Sequence, residues 1–431
     1  MHSQIWVVST LLISIVLIVL TIVKFKFHPF LALLLASFFV GTMMGMGPLD
    51  MVNAIESGIG GTLGFLAAVF TLRAALGVLF QAPGAAGPVL VPTFGMDWTQ
   101  FGTLVGLFWL PGLVIAVPLG LAAPKLGDRA VVLFGMGLLV TGGLVSAAAG
   151  SGVALLYAGR LLMGTGTVLV IVLLTKMMQD RFKGADLFPA MAIYVLGWPL
   201  GIAAAQAVLP GLAVGFGWQV PFLAGAAAMM VAFISLAAAS RPSSRGPAPV
   251  AGSGRLTGRE IRLMCLAGAC WAMVNGTYMV LVTFAPPLLV ARGLSVAEAR
   301  FATSLMSWVN LVAVPAGAML ARRPALVLPM VVGFIIGAAA LAAALPFAGL
   351  GWAAAILAAH GLLYALPITV FSALPALAVP PERRAQGLGV YFVWFYGGCT
   401  GFPPLAGWLA DQTGGATVPV IFAAALLMGA L

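Results

Sequence analysis

Two arginines, Arg73 and Arg160, sit inside long apolar runs, where a charged side chain is costly and its presence asks for a partner. Arg160 lies about 10 Å into its run at 1.5 Å per residue. A guanidinium presents a planar fork of donors that matches a carboxylate, a cyanate or a nitrate group, so an anion could complete either site. The same side chain could instead cap helix-end carbonyls or snorkel outward. A solute held in the membrane middle also needs polar and aromatic groups, because no water solvates it there. Gln81, Trp109, Asn275, Tyr278, Asn310 and Tyr391 are candidates for that lining. Trp198, Trp308, Tyr364 and Trp394 are further ones. Each could equally serve packing, an interfacial belt or interhelical bonding. His360 is the one histidine inside a run, and the one side chain there suited to carry a proton; the alternative is a satisfied core histidine.

The acids are Asp50, Glu56, Asp97, Asp128, Asp180, Asp186, Glu260, Glu298, Glu382 and Asp411, and none is central in a run. A carboxylate proton relay in the membrane is therefore not expected, and a cationic solute would lack its counter-charge. Cys265, Cys270 and Cys399 lie in apolar segments without CxxC spacing, and read as packing residues. No metal-ligand spacing or nucleophile constellation occurs, so neither an enzyme nor a bound cofactor or metal is expected.

The elements that must position these groups follow from composition. Of 431 residues, 62% are hydrophobic and 7% charged, and the mean hydropathy is +1.15. So few charges cannot coat a water-facing body of this size, and apolar runs of membrane-spanning length recur. The runs are continuous and lack strand alternation, which gives an all-α polytopic membrane protein. The net charge of +10 reads as basic loops retained on the cytoplasmic side, with no nucleic acid implied.

Spans are expected at 5–23, 29–47, 64–92, 99–121, 130–150, 154–175, 187–210, 218–240, 263–290, 299–321, 325–346, 351–378, 386–410 and from Thr417, where the remaining chain is too short to cross. Residues 241–262, rich in Arg, Pro, Ser and Gly, read as a cytoplasmic linker. Basic residues at 125–129, 176–183, 241–262, 322–323 and 383–384 fall on one side, and only Arg292 and Arg300 fall opposite. Lys125 with Arg322, Arg181 with Arg383 and Pro199 with Pro403 recur roughly 200 residues apart, the spacing of two six-helix halves related by duplication.

Several segments carry a resemblance. Gly120-Leu-Ala-Ala-Pro-Lys125-Leu-Gly127-Asp128-Arg129, Arg160-Leu-Leu-Met-Gly164-Thr-Gly166, Gly197-Trp198-Pro199-Leu200-Gly201 and Pro403-Pro404-Leu-Ala-Gly407-Trp-Leu-Ala-Asp411 together resemble the major facilitator superfamily from about residue 70 onward. Within it the chain is similar to the cyanate-permease-like branch of small-anion carriers. Pro124 departs from that pattern, standing where an acid is common. Lys24-Phe-Lys-Phe-His28-Pro-Phe and Gly58-Ile-Gly-Gly-Thr-Leu-Gly64 resemble instead the amino terminus of the gluconate permease family, at its D-serine permeases, and that likeness ends near Val69.

The resemblance implies two six-helix bundles, 70–240 and 263–431, the latter truncated in its last helix, behind a two-helix leader at 1–69. It implies an inner-membrane secondary carrier of a small anion working by alternating access, monomeric and embedded in lipid. Gly120, Lys125, Gly127, Asp128 and Arg129 would form its cytoplasmic loop motif, and Pro199, Gly201, Pro403 and Pro404 would bend its helices. A gluconate or D-serine type permease, and a non-transporting product of fusion and truncation, are the alternatives. Lys24 and Lys26 favour the cytoplasm, which conflicts with the orientation of the following bundles, so the leader hairpin is expected inverted or incompletely inserted.

Overall fold

The structure is a computed structural model that describes residues 39–122, 127–150, 152–182, 187–239, 256–380 and 383–431, with residues 6, 10, 13 and 14. Most of the two expected leader helices, their orientation, Lys125 and most of the linker lie outside the described residues. Two compact units are present, Met1–Ala68 and Val69–Leu431. In the first, the Trp6 indole donates to the Met43 carbonyl at 3.1 Å. Gly45, at φ +72°, lets the chain turn there before the next helix starts.

Every regular element among the described residues is helical. In chain order they are α1 (Pro48–Phe94), α2 (Trp98–Gly106), α3 (Leu110–Ala122), α4 (Asp128–Ala147), α5 (Val153–Arg181), α6 (Leu187–Phe216) and α7 (Val220–Ala239). A second set follows: α8 (Gly258–Ala291), α9 (Val296–Trp308), α10 (Asn310–Leu320), α11 (Pro324–Ala344), α12 (Ala353–Ala365), α13 (Ile368–Ala378), α14 (Arg384–Thr413) and α15 (Thr417–Gly429). Among the described residues, ten stretches are long and apolar enough to cross a membrane, Gly64–Phe94 the first of them. At 13 residues, α15 is shorter than a span.

Helix ends depart from expectation where local chemistry extends them. α1 begins at Pro48 rather than near 64, with proline in its first turn and Asp50 against the positive end of the helix dipole. α8 begins at Gly258, inside the expected linker 241–262. There the Thr257 side chain accepts from the Glu260 N–H while Glu260 returns to the Thr257 N–H, a reciprocal capping box.

Three expected spans are interrupted. The span 99–121 breaks at Leu107–Trp109, because Pro111 has no N–H for the Leu107 carbonyl and its ring crowds that oxygen. The span 351–378 breaks at Leu366–Pro367 for the same kind of reason, and 299–321 tightens at Val309, whose carbonyl accepts from Val312.

Helices of the larger unit meet where glycine removes the side chain. A Cβ on Gly201 of α6 would lie 2.0 Å from the Ala74 carbonyl oxygen of α1. Pro199, Gly201, Pro403 and Pro404 all sit inside continuous helices. Pro404 cannot donate to the Thr400 carbonyl, and that free oxygen is where Gly106 of α2 packs, its added Cβ only 2.3 Å away. The seam between α2 and α14 joins the first set of helices to the second.

That seam is latched at the end opposite the basic loops. Asp411, near the end of α14, accepts from the Trp98 N–H (2.9 Å), the Thr99 N–H (2.8 Å) and the Thr99 hydroxyl (2.5 Å), capping α2 from another helix. Asp411→Asn keeps one acceptor oxygen and is expected to cost about 1–2 kcal/mol of local stability. Hydrogen exchange of the Trp98–Phe101 amides should then rise about 5- to 30-fold. Unchanged exchange would remove the latch.

Candidate functional site

Arg160 of α5 is fully buried. Its Nε donates to the Leu104 carbonyl (3.1 Å), Nη1 to Leu79 (3.2 Å) and Nη2 to Val105 (3.5 Å). A proline within α1 and the break between α2 and α3 supply these acceptors. Pro83 leaves the Leu79 oxygen without its intrahelical donor, and at the α2–α3 break Trp109 N–H bonds Gly106 rather than Val105. The guanidinium also lies 4.6 Å from the Phe108 ring centroid. The geometry is that of a cap on three stray carbonyls.

Arg73 of α1 is placed differently. It is half-buried, its Nε donates to the Tyr194 carbonyl (3.2 Å), and its guanidinium carbon lies 4.5 Å from the Tyr194 ring and 5.4 Å from the Trp198 ring. Nη1 and Nη2 have no hydrogen bond or ion pair among the described residues. One edge is anchored on aromatic faces and the other edge of the fork is left for an acceptor.

Aromatic rings continue from there across the seam. Trp198 lies 5.8 Å from Trp109, and Trp109 lies 5.4 Å from Phe395 and 6.2 Å from Tyr396, both on α14. Trp109 Nε1 is buried without a partner among the described residues. Further along, Trp271 stacks on Tyr391, whose hydroxyl donates to the Phe371 carbonyl at 3.3 Å. Asn275 is half-buried, with its amide turned back to the Trp271 carbonyl (2.8 Å).

A polar chain crosses between the helix sets elsewhere. The Ser307 hydroxyl donates to Gln206 Oε1 (3.3 Å), so the Tyr278 hydroxyl, 2.7 Å from Ser307 Oγ, donates to serine. Tyr278 is stacked against Tyr364, and Tyr364 against His360. His360 Nδ1 lies 2.8 Å from the Ala338 carbonyl, which can only accept, so Nδ1 carries the proton; among the described residues Nε2 is buried without a partner. Gln81 Nε2 and Asn310 Oδ1 are likewise buried and unpartnered among the described residues. Trp308 is half-buried and Trp394 exposed.

The loop-motif residues are partly described. Gly120 lies in α3, Gly127 is the N-cap of α4, Asp128 pairs with Lys176 at 2.5 Å across α4 and α5, and Arg129 Nη2 donates to the Ala237 carbonyl (2.9 Å). Glu260 pairs with Arg383 at 2.8 Å. Among the described residues no group of three or more His, Cys, Asp or Glu could hold a metal ion.

Sequence reasoning passed over Gln206, Ser307 and Tyr194. Gln206 had a legible signal, an amide in an apolar run. Ser307 had little, since serine is common in membrane helices.

Residues 6–154 match the GntP family permease signature. That is longer than the likeness to residue 69 read from the sequence, and over 70–154 it overlaps the likeness to the major facilitators. The D-serine transporter DsdX of Escherichia coli (strain K12) is 52% identical over 194 residues, 43% of this chain and 44% of the relative. A gluconate permease of Pseudomonas aeruginosa is 31% identical over 138 residues, 30% of this chain and 31% of its own. The chain thus spans less than half the length of the curated relatives it matches.

Two solved structures are similar over most of the chain. A bacterial homologue of the human lysosomal transporter Spinster, in an inward-facing and unoccupied conformation, aligns with TM-score 0.69 at 16% identity, covering 85% of this chain and 94% of that one. The nucleoside transporter NupG, as a point mutant, aligns with TM-score 0.68 at 14% identity, covering 86% and 98%. These likenesses, together with the helices described above, establish the fold as all-α and polytopic, of the major facilitator type.

Proposed function

We propose that the chain is a secondary carrier of a small anion that works by alternating access between residues 70–240 and 263–431, across a linker at 241–262 and behind a leader at 1–69. The observation that carries this reading is Arg73: a guanidinium within a span, steadied on Tyr194 and Trp198, with its outer fork unbonded among the described residues. A carboxylate, cyanate or nitrate group would complete it. The α2–α14 seam is shut at the end away from the basic loops, the arrangement of a carrier accessible from the cytoplasmic side. Residence in the inner membrane and function as a monomer belong to the same proposal. A substrate of the cyanate class is its finer form.

The match of residues 6–154 to the GntP permeases favours a second reading, a gluconate or D-serine type permease. Both named solutes carry a carboxylate, so Arg73 serves either reading.

Uptake of radiolabelled cyanate, gluconate and D-serine into proteoliposomes tests them together. With the carried solute, Arg73→Gln should lower kcat/KM about 30- to 150-fold, the effect of losing roughly 2–3 kcal/mol of charge-assisted hydrogen bonding. Arg73→Lys should lie between, because charge without a fork restores part of the contact. Saturable uptake unchanged in Arg73→Gln would overturn the assignment. Uptake that survives deletion of residues 1–69 would count against the second reading, and no uptake of any anion would leave a non-transporting product.

A further inference from the structure

Four arginines of the larger unit have partners for their charge: Arg160 three carbonyls, Arg292 the carbonyls of Leu345 and Ala348, Arg129 that of Ala237, and Arg383 the carboxylate of Glu260. Arg300 differs from these four. It is 2% exposed, yet among the described residues its Nε and Nη1 have no hydrogen-bond partner and no carboxylate lies within salt-bridge distance. It projects from the second turn of α9 into the seam with the first helix set. There a Cβ added to Gly87 of α1 would come 3.4 Å from Arg300 Nη2 and 2.9 Å from the Phe101 ring. A desolvated guanidinium with open donors is unfavourable unless an anion or hydrogen-bond acceptors satisfy it, and the walls contributed by Gly87 and Phe101 supply neither.

We infer that Arg300, Gly87 and Phe101 form a binding site for a small monovalent anion, of the nitrate, halide or carboxylate-headgroup class, distinct from the Arg73 position and at the opposite end from the basic loops. The anion sits against Arg300 Nε and Nη1. Glycine at position 87 leaves room for the guanidinium, and Phe101 excludes water from the pair, which strengthens their attraction. Bound there while the seam is shut, the anion neutralises the buried charge and thereby favours the closed arrangement.

Nitrate is the probe, titrated into the full chain in detergent at constant ionic strength while the thermal unfolding midpoint is followed. The wild type should show a saturable rise of about 2 °C or more. Arg73→Gln should keep a saturable rise, and Arg300→Gln should lose it while unfolding at a higher midpoint without nitrate, since no unpaired charge is then buried. Gly87→Ala should weaken apparent nitrate affinity about tenfold by crowding the guanidinium, and it decides the matter if Arg300→Gln does not fold. A nitrate response equal to wild type in Arg300→Gln, or in Gly87→Ala where that variant decides, overturns the proposal, as does the absence of any response in the wild type. Because this readout needs no uptake, it stands or falls separately from the transport reading.

Discussion

Arg160→Ala should fail first as a folded protein. Truncation would strand the Leu79, Leu104 and Val105 carbonyls that the guanidinium now serves, each costing about 1–3 kcal/mol when buried without a donor, and would open a cavity beside Phe108. A loss of about 4 kcal/mol or more is expected, seen as a large drop in thermal unfolding midpoint and in yield. Arg160→Lys should fall between, since an ammonium reaches fewer of the three oxygens. The opposite pattern, a normal midpoint with uptake abolished, would return Arg160 to the substrate-contact role its sequence position suggested.

If the chain is the carrier proposed above, alanine at Gly102 is expected to act on its transport cycle more than on folding. Its Cβ would stand 2.2 Å from the Pro403 oxygen and 2.7 Å from the carbon behind it, contacts with backbone that no rotamer change relieves. Gly407 makes the reciprocal approach, 2.0 Å to the Trp98 oxygen, so the whole α2–α14 seam depends on bare backbone. Forced apart there, the two helix sets can no longer close at that end. Uptake should fall about tenfold or more, and hydrogen exchange in α2 and in residues 400–411 should rise, while helical content stays as in the wild type. Wild-type uptake in Gly102→Ala would show that closure at this seam is not part of the cycle.

Much of this was visible in one dimension. Membrane spans announce themselves because hydrocarbon tolerates only a self-bonded apolar helix of fixed length, so run length and bounding charge place ten of the expected spans within about six residues of the stretches found among the described residues, while the expected span 386–410 is not one of those stretches. The capping boxes at Thr257 and Glu260, Ser295 and Glu298, and Asp97 and Gln100 were likewise written locally, in residues three apart. Proline marked where carbonyls would be stranded.

What a stranded carbonyl meets was not legible. The three oxygens around Arg160 come from two other helices, and which side chain fills such a gap depends on how those helices cross. Arg292 and Arg300 are eight residues apart and read identically as basic residues on the sparsely charged side, yet one is bonded to two carbonyls and the other is buried with open donors. Asp411 read as the end of a motif, and only the approach of α14 to α2 makes it the cap of a helix more than 300 positions away. By itself the sequence determined the class of protein, the spans and the residue types available for anion chemistry, since these follow from the energetics of single segments in lipid. Tertiary structure alone decided which arginine is spent on backbone and which keeps its fork open, because a hydrogen bond is satisfied by geometry between segments that composition does not encode.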